Sequence, residues 1–98
     1  MTSHIDDVQV VHNEEASQFE AMVQDLRSEL SYARDGNRIL FTHTGVPPAL
    51  RGRGIASKMA RAAMEYVREN NLVAVPLCSY MVSYIRRHPE YQSLVQRR

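Results

Sequence analysis

The stretch that most constrains the fold joins an apolar, β-branched run at residues 39–44 to a helical pattern that continues to about Glu69. Between them lies a segment that we call the glycine loop, residues 46–57, which contains Arg51-Gly-Arg-Gly-Ile-Ala56. Glycines there let the backbone turn tightly and come close to a ligand. The first amides of the following helix lack partners inside it and lie at the positive end of its dipole. The junction therefore predicts an anion site, most naturally for a phosphate or pyrophosphate.

The composition of the glycine loop adds to this interpretation. Arg51 and Arg53 supply fixed charge and fork-shaped donors. The P-loop pattern and the three-glycine dinucleotide pattern are both missing from the loop, which sets aside those two kinds of nucleotide site. The competing interpretation is an ordinary glycine-bearing loop with solvated arginines.

The segment before the glycine loop predicts an antiparallel meander of about four strands, at residues 8–11, 17–23, 28–34 and 38–44. Phe19, Ala21 and Val23 alternate with polar residues and are expected on one buried face. The expected turns are residues 13–16, residues 24–27 and the tight Asp35-Gly36-Asn37 hairpin. Two prolines after residue 46 end the ladder, because proline donates no hydrogen bond.

The segment after the glycine loop predicts a helix, a buried strand and two short helices. The first helix begins at about Leu50 or Arg53, and its apolar residues recur every three to four positions. Residues 72–77 are apolar on both faces, which is typical of a buried strand parallel to the strand before the helix. Short helices follow at residues 79–87 and 89–96. The expected fold class is α/β (α+β), in a single domain of residues 1–98.

Charge and cysteine content limit the partners. Residues 1–37 hold eight acids and two bases, whereas residues 38–98 hold ten bases and three acids. A basic half built around a phosphate-type loop suits a polyanionic small molecule, although it would also suit nucleic acid. One cysteine cannot form an internal disulfide, which fits a reducing cytoplasm. The sequence shows no signal peptide, no membrane-spanning run and no metal-ligand spacing among its histidines and Cys78, so we expect neither a membrane nor a metal.

Several segments carry a family resemblance: Phe41-Thr-His-Thr44, Val46-Pro-Pro48, Arg51-Gly-Arg-Gly54, Pro76-Leu-Cys78 and Tyr84-Ile-Arg-Arg-His-Pro-Glu-Tyr91. Together they resemble the small, single-domain branch of the Gcn5-related N-acetyltransferases. The resemblance implies that fold, a splay in the sheet near Val46, and acetyl-CoA as cosubstrate. It implies transfer of acetyl to an amine, on a small molecule or a protein lysine. The residues expected to bind coenzyme A are Val46, Arg51, Gly52, Arg53, Gly54, Ile55, Ala56 and Ser57.

Three residues are candidates for catalysis. Cys78 follows the buried strand and precedes a helix, where the helix dipole favours a thiolate. The resemblance implies that it lies close to the thioester and takes up acetyl, while the plain alternative is a small buried residue. His43, expected on one face with Ile39 and Phe41, is a candidate general base or a hydrogen-bonded core histidine. Tyr84, and second to it Tyr80, match the family tyrosine that protonates the CoA thiolate, or are core aromatics.

Three departures from the family pattern leave other functions open. Gly45 stands where a glutamate is expected, Ser79-Tyr80 replaces a more usual proline-aromatic pair, and the first two strands are joined by only a few residues. The acceptor site is then open, or is completed by a partner or second subunit. A monomer or a weak homodimer fits the sequence. The alternatives to an enzyme are a non-catalytic acyl-CoA-binding module and a small nucleic-acid-binding domain, and the nucleic-acid domain is disfavoured because aromatic residues do not alternate with the arginines.

Overall fold

The computed structural model describes residues 8–96. Four strands form an antiparallel meander: β1 (Val10–Asn13), β2 (Gln18–Val23), β3 (Leu26–Asp35) and β4 (Arg38–Gly45). A short 3₁₀ turn (Pro48–Leu50) and helix α1 (Ile55–Glu69) then lead to β5 (Val73–Pro76), which pairs in parallel with β4. Helix α2 (Ser79–Arg87) and a second 3₁₀ turn (Pro89–Leu94) follow. The sheet order is β1-β2-β3-β4-β5, which confirms the meander and the crossover.

The β2–β3 hairpin is tighter than the sequence indicates. Only Gln24 and Asp25 separate the strands, and both have positive φ, at 51° and 68°. Two successive left-handed residues make the primed turn that matches the twist of a hairpin, and aspartate is one of the residues that tolerates it. The expected four-residue turn was wrong in length, and β3 gains two residues at its start. β1 also lies two residues later than expected and ends at Asn13.

The core lies between one face of the sheet and α1. Phe19, Ala21 and Val23 are buried together, as their alternation predicts. Helix α1 buries a stripe against them whose members recur at helical spacing: Ile55, Met59, Ala60, Ala63, Met64 and Val67. The helix begins at Ile55, because Gly54 takes a left-handed conformation just before it. Leu50, at one predicted start, lies instead in the separate 3₁₀ turn and is buried.

A β-bulge in β4 reverses the side on which its last residues point. Tyr32 pairs with Phe41, but Ser31 pairs with His43, so Thr42 is an extra residue on β4. The expectation that His43 shares a face with Phe41 is therefore wrong, and 63% of its side chain is exposed. Thr44, not His43, turns back toward the core side, where it pairs with Leu30.

The sheet opens between β4 and the chain that follows β5. Their pairing ends at Phe41 and Pro76, while β4 continues to Gly45. The amides of Leu77 and Cys78 both donate to the carbonyl oxygen of Phe41, at 2.9 and 3.0 Å. Beyond this point the two backbones diverge, so the opening begins at Phe41 and extends toward Val46.

Candidate functional site

The glycine loop presents the amino end of α1 without a side-chain cap. Gly52 and Gly54 have φ of 79° and 80°, a left-handed conformation that favours glycine. The first backbone hydrogen bond of α1 runs from the Lys58 amide to the Gly54 carbonyl oxygen, at 3.1 Å. The amides of the three residues before Lys58 therefore have no partner within the helix, and the first turn of α1 carries no acidic residue. This is the polarity and geometry of an anion site.

A cleft of about 250 Å³ lies over this helix end. Seven of the eight residues expected to bind coenzyme A line it; Arg53 does not, although it lies in the loop between the two glycines and is exposed. The lining residues are Val46, Leu50, Arg51, Gly52, Gly54, Ile55, Ala56, Ser57 and Tyr80. We call this the loop cleft.

Space above the glycines fits a ligand that approaches the backbone. A Cβ atom built on Gly52 or Gly54 meets no atom within 4 Å. Glycine is therefore favoured at these two positions by the left-handed backbone conformation and not by a lack of space. Arg51 uses its Nε to donate to the Val46 carbonyl oxygen at 3.2 Å, which ties the middle of the loop to its first residue. A guanidinium has five N–H donors, so four of them are left for an anion. Phosphate groups therefore fit the donors that the loop cleft presents.

Cys78 lies at the opening between the diverging strands. It is the residue before α2, with extended backbone angles of −92° and 147°, and is half-buried. Its Sγ is 3.4 Å from Oγ1 of Thr44, which reaches across the opening from β4. The sequence did not single out Thr44, because the bulge that turns this residue inward leaves no mark in the alternation of residue types.

The two tyrosines on α2 lie in different clefts. Tyr84 is only 2% exposed, and its ring stacks on His88 with centroids 3.9 Å apart. It lines a second cleft of about 500 Å³, which we call the tyrosine cleft, with Ser57, Arg61, Glu65, Arg68, His88, Glu90 and Tyr91. Tyr80, one helical turn earlier, lines the loop cleft. The structure thus brings Tyr80 to the glycine loop and places Tyr84 beside it, in the neighbouring cleft.

Burial raises the pKa of both of these phenols, which already carry their protons at neutral pH. It raises the pKa of Tyr80, and the charge of Arg87 and a hydrogen bond with Ser57 oppose part of that rise. Burial also raises the pKa of Tyr84, which the neighbouring Tyr80 raises further. A tyrosine with a raised pKa carries its proton at neutral pH, so either residue has one to give. Only Tyr80 is placed to give it within the loop cleft.

His43 lies outside the loop cleft. Its Nε2 is 3.9 Å from the Glu29 carboxylate, on the side of the sheet opposite α1. Within residues 8–96 no group of three or more histidine, cysteine or acidic side chains is arranged to hold a metal ion. None of the helices in that part of the chain is long and apolar enough to cross a membrane.

The comparisons with known proteins agree with this architecture. A strand–loop–helix–strand crossover after an antiparallel meander, with an uncapped helix end at the loop, defines a mixed α/β domain. The family model described as GCN5-related N-acetyl-transferase matches residues 18–94. The chain belongs to the GCN5-related N-acetyltransferase family.

Individual relatives show how far the similarity extends. The chain is 39% identical over 90 residues to Protein NATD1 of Gallus gallus, which covers 89% of this chain and 82% of that protein. It is 38% identical to Protein NATD1 of Homo sapiens, with 89% and 80% covered. A solution NMR structure of a GCN5-like candidate N-acetyltransferase from Staphylococcus aureus superimposes with a TM-score of 0.71 at 29% identity, over 90% of this chain and 87% of that one. The fold assignment from sequence is thereby confirmed.

Proposed function

We propose that this protein binds acetyl-CoA in the loop cleft and transfers the acetyl group to an amine. The observation that carries the proposal is the uncapped amino end of α1, which opens into the loop cleft beside Arg51. Family membership supports the reaction class, since it joins this anion site to acetyl transfer. The proposal includes a single catalytic domain in the cytoplasm, where Cys78 stays reduced.

In this proposal the glycine loop holds the pyrophosphate of coenzyme A. The amides of Ile55, Ala56 and Ser57 donate to phosphate oxygens, and the dipole of α1 favours their charge. Arg51 and Arg53 add charge-assisted donors. The bond from Arg51 to the Val46 carbonyl oxygen fixes the loop before the ligand arrives, which lowers the entropy cost of binding.

Acetyl-CoA supplies an activated thioester, and the chain supplies donors around it. In the direct route, an amine that has lost its proton attacks the thioester carbon. A backbone N–H near Val46 stabilises the negative charge that develops on the carbonyl oxygen. A tyrosine then protonates the sulfur of CoA. We assign that step to Tyr80 in preference to Tyr84, because Tyr80 lines the loop cleft.

A covalent route uses Cys78 as the first acceptor. Its sulfur lies at the opening beside Thr44, which provides a hydroxyl neighbour at 3.4 Å. The thiolate attacks the thioester, the C–S bond to CoA breaks, and the CoA thiolate takes a proton from Tyr80. The acetyl group then passes from Cys78 to the amine, which restores the Cys78 thiolate, and the proton that the amine gives up returns to Tyr80. Replacement of Cys78 by alanine separates the two routes: unchanged turnover eliminates the covalent route, whereas loss of turnover with retained acetyl-CoA binding supports it.

The test of the function is CoA release from acetyl-CoA in the presence of amines. We expect the wild type to release CoA thiol with at least one primary amine. The Arg51→Ala/Arg53→Ala variant should lose both acetyl-CoA binding and this activity. The matched control is Arg27→Ala/Arg34→Ala, which removes the same charge from exposed positions on β3. Equal acetyl-CoA binding by the two double variants would contradict the assignment of the loop cleft.

A non-catalytic acyl-CoA-binding module is the second candidate function. It is favoured by the β1–β2 connection, in which only residues 14–17 join the strands and no helix covers an acceptor. This alternative gives acetyl-CoA binding with no CoA release for any amine. In this alternative acetyl-CoA also binds in the loop cleft, but no acetyl group is transferred.

A further inference from the structure

The opening in the sheet, where the proposed function requires the thioester, is closed at its inner end. Pairing between β4 and β5 stops at Phe41 and Pro76. The amides of Leu77 and Cys78 then both donate to the carbonyl oxygen of Phe41, which holds the two backbones together at that point. An acyl group that enters the opening from the loop cleft therefore meets hydrogen-bonded backbone at the inner end.

Two side chains narrow the opening before this closed end is reached. Oγ1 of Thr44 lies 3.4 Å from Sγ of Cys78, across the opening. This is a contact distance, so no further atom fits between the two side chains. Threonine is β-branched, which restricts rotation of its side chain away from the contact. We call the pair Thr44 and Cys78 the gate.

The core behind the gate is filled. Leu30, which lies opposite Thr44 on β3, is fully buried. Phe41 and Met81, which belong to β4 and to the first turn of α2, are also fully buried. Cys78 itself packs against this core. Since protein interiors are close-packed, the side chains of the gate cannot move back into the core without a cost in packing.

The loop cleft stops just short of the gate. Val46 and Tyr80 line the cleft, whereas Thr44 and Cys78 do not. Each residue of the gate is therefore two positions from a lining residue. Two residues of extended chain, such as those from Thr44 to Val46, span about 7 Å. A ligand held in the loop cleft has only this short distance for its thioester and acyl chain before it reaches the gate.

We propose that the gate limits the acyl group of the cosubstrate to two carbons, and that Thr44 is the residue that sets this limit. The inference rests on the proposed function and adds its acyl specificity. The methyl group of acetyl-CoA ends before the contact between Thr44 and Cys78. Each further methylene, as in butyryl-CoA, has to push the two side chains apart against the filled core or turn away from the opening.

The decisive measurement is the ratio of the affinities for acetyl-CoA and butyryl-CoA, obtained by calorimetric titration of the full chain. We expect the wild type to bind acetyl-CoA about 100-fold more tightly, within the range for added methylenes in a confined pocket. Thr44→Ala removes both substituents on Cβ and should lower this ratio to about 10-fold or less. Thr44→Val keeps the width of the side chain without its hydroxyl and should keep the wild-type ratio.

Two controls show that a change in the ratio comes from the gate. Thr42→Ala makes the same substitution on the same strand at an exposed position, and it should keep the wild-type ratio. Free CoA has no acyl group, so its affinity should be the same for the wild type and all three variants. Equal binding of free CoA also shows that Thr44→Ala is folded with its glycine loop intact.

The outcomes separate this inference from the proposed function. Equal affinities of the wild type for the two thioesters would overturn the inference and leave acetyl-CoA binding intact. A wild-type ratio in Thr44→Ala, or a ratio lowered equally in Thr44→Val, would also overturn it, because the width of Thr44 would then not set the limit. If the wild type releases no CoA with any amine, acetyl transfer is contradicted, and the affinity ratios still decide on the gate. A wild type that binds neither thioester contradicts both.

Discussion

The loop cleft and the tyrosine cleft lie side by side and share Ser57, yet they are built from different groups. Backbone amides, two glycines and the exposed Arg51 are prominent in the loop cleft. Side chains form the tyrosine cleft, and several of them already have partners. There, Tyr91 donates its hydroxyl to Glu65 at 2.8 Å, and Arg68 pairs with the same carboxylate at 2.9 Å.

This difference suits the loop cleft to ligand binding and the tyrosine cleft to stabilising the fold. The guanidinium of Arg68 also lies over the ring of Tyr91, 5.2 Å from its centroid, and Nδ1 of His88 is 2.7 Å from the Tyr84 carbonyl oxygen. These contacts join α1 to the last 3₁₀ turn and hold His88 against the carboxyl end of α2. A ligand in the tyrosine cleft would have to displace them, whereas a ligand in the loop cleft meets donors that the helix itself cannot use. Size alone would favour the tyrosine cleft.

The largest effect on stability is expected for Tyr84→Ala. This truncation removes a nearly fully buried aromatic ring and should lower the free energy of unfolding by about 3–5 kcal/mol. Tyr84→Phe keeps the ring and should stay near the wild-type stability and activity. Urea unfolding and CoA release measure the two quantities. A large loss of activity in a stable Tyr84→Phe protein would move the proton donor back to Tyr84.

Tyr80→Phe should act on turnover alone. The loss of a proton donor to the CoA sulfur is expected to reduce kcat by about 100-fold, near the lower end for general acid catalysis. The ring remains, so acetyl-CoA affinity and the melting temperature should be unchanged. Steady-state kinetics compared with the binding isotherm checks this. Equal kcat in Tyr80→Phe and the wild type would remove Tyr80 from the mechanism.

Gly54→Ala should weaken acetyl-CoA binding at a small cost in stability. The left-handed conformation at φ of 80° costs a residue with a Cβ atom about 1–2 kcal/mol. Gly36→Ala is the matched control, because Gly36 is also left-handed, at 61°, with open space around its Cβ position. Both variants should lose similar stability, and only Gly54→Ala should lose affinity in calorimetric titration. Equal affinities would show that the conformation at Gly54 is not needed for binding.

The smallest effect concerns the pH dependence of stability through Tyr91. Burial and the hydrogen bond to Glu65 raise the pKa of Tyr91 to about 12, against about 10 for an unperturbed tyrosine. The unfolded chain therefore loses this proton first, and the free energy of unfolding should fall as the pH rises from 10 toward 12. Tyr91→Phe should flatten that fall without abolishing it, because burial also raises the pKa of Tyr80 and Tyr84. An unchanged slope in urea unfolding would assign the fall to other groups.

The sequence predicted the sheet and the glycine loop because their signals are local. Alternation from Phe19 to Val23 gives the buried face of β2, and the Asp35-Gly36 pair gives the β3–β4 hairpin. The anion site follows from a strand, two glycines and a helix in succession. These patterns depend on short-range sterics and periodicity, which a single sequence contains.

The parts that the sequence did not predict depend on register and packing. One extra residue at Thr42 moved His43 out of the core and turned Thr44 toward Cys78. Tyr80 and Tyr84 are four residues apart, so helical spacing alone places them on one face and cannot tell which reaches the glycine loop. The contact between Glu29 and Gly45 joins positions that lie far apart along the chain, and only the strand register brings them together.

Amide NMR during a titration with acetyl-CoA tests the central claim most directly, because it reports on both clefts in one experiment. We expect saturable shifts at the amides of Gly52, Gly54, Ile55 and Ser57, with small changes at Glu90 and Tyr91. The Arg51→Ala/Arg53→Ala variant should lose these shifts. Saturable shifts confined to the tyrosine cleft, or none in either cleft, would contradict the account.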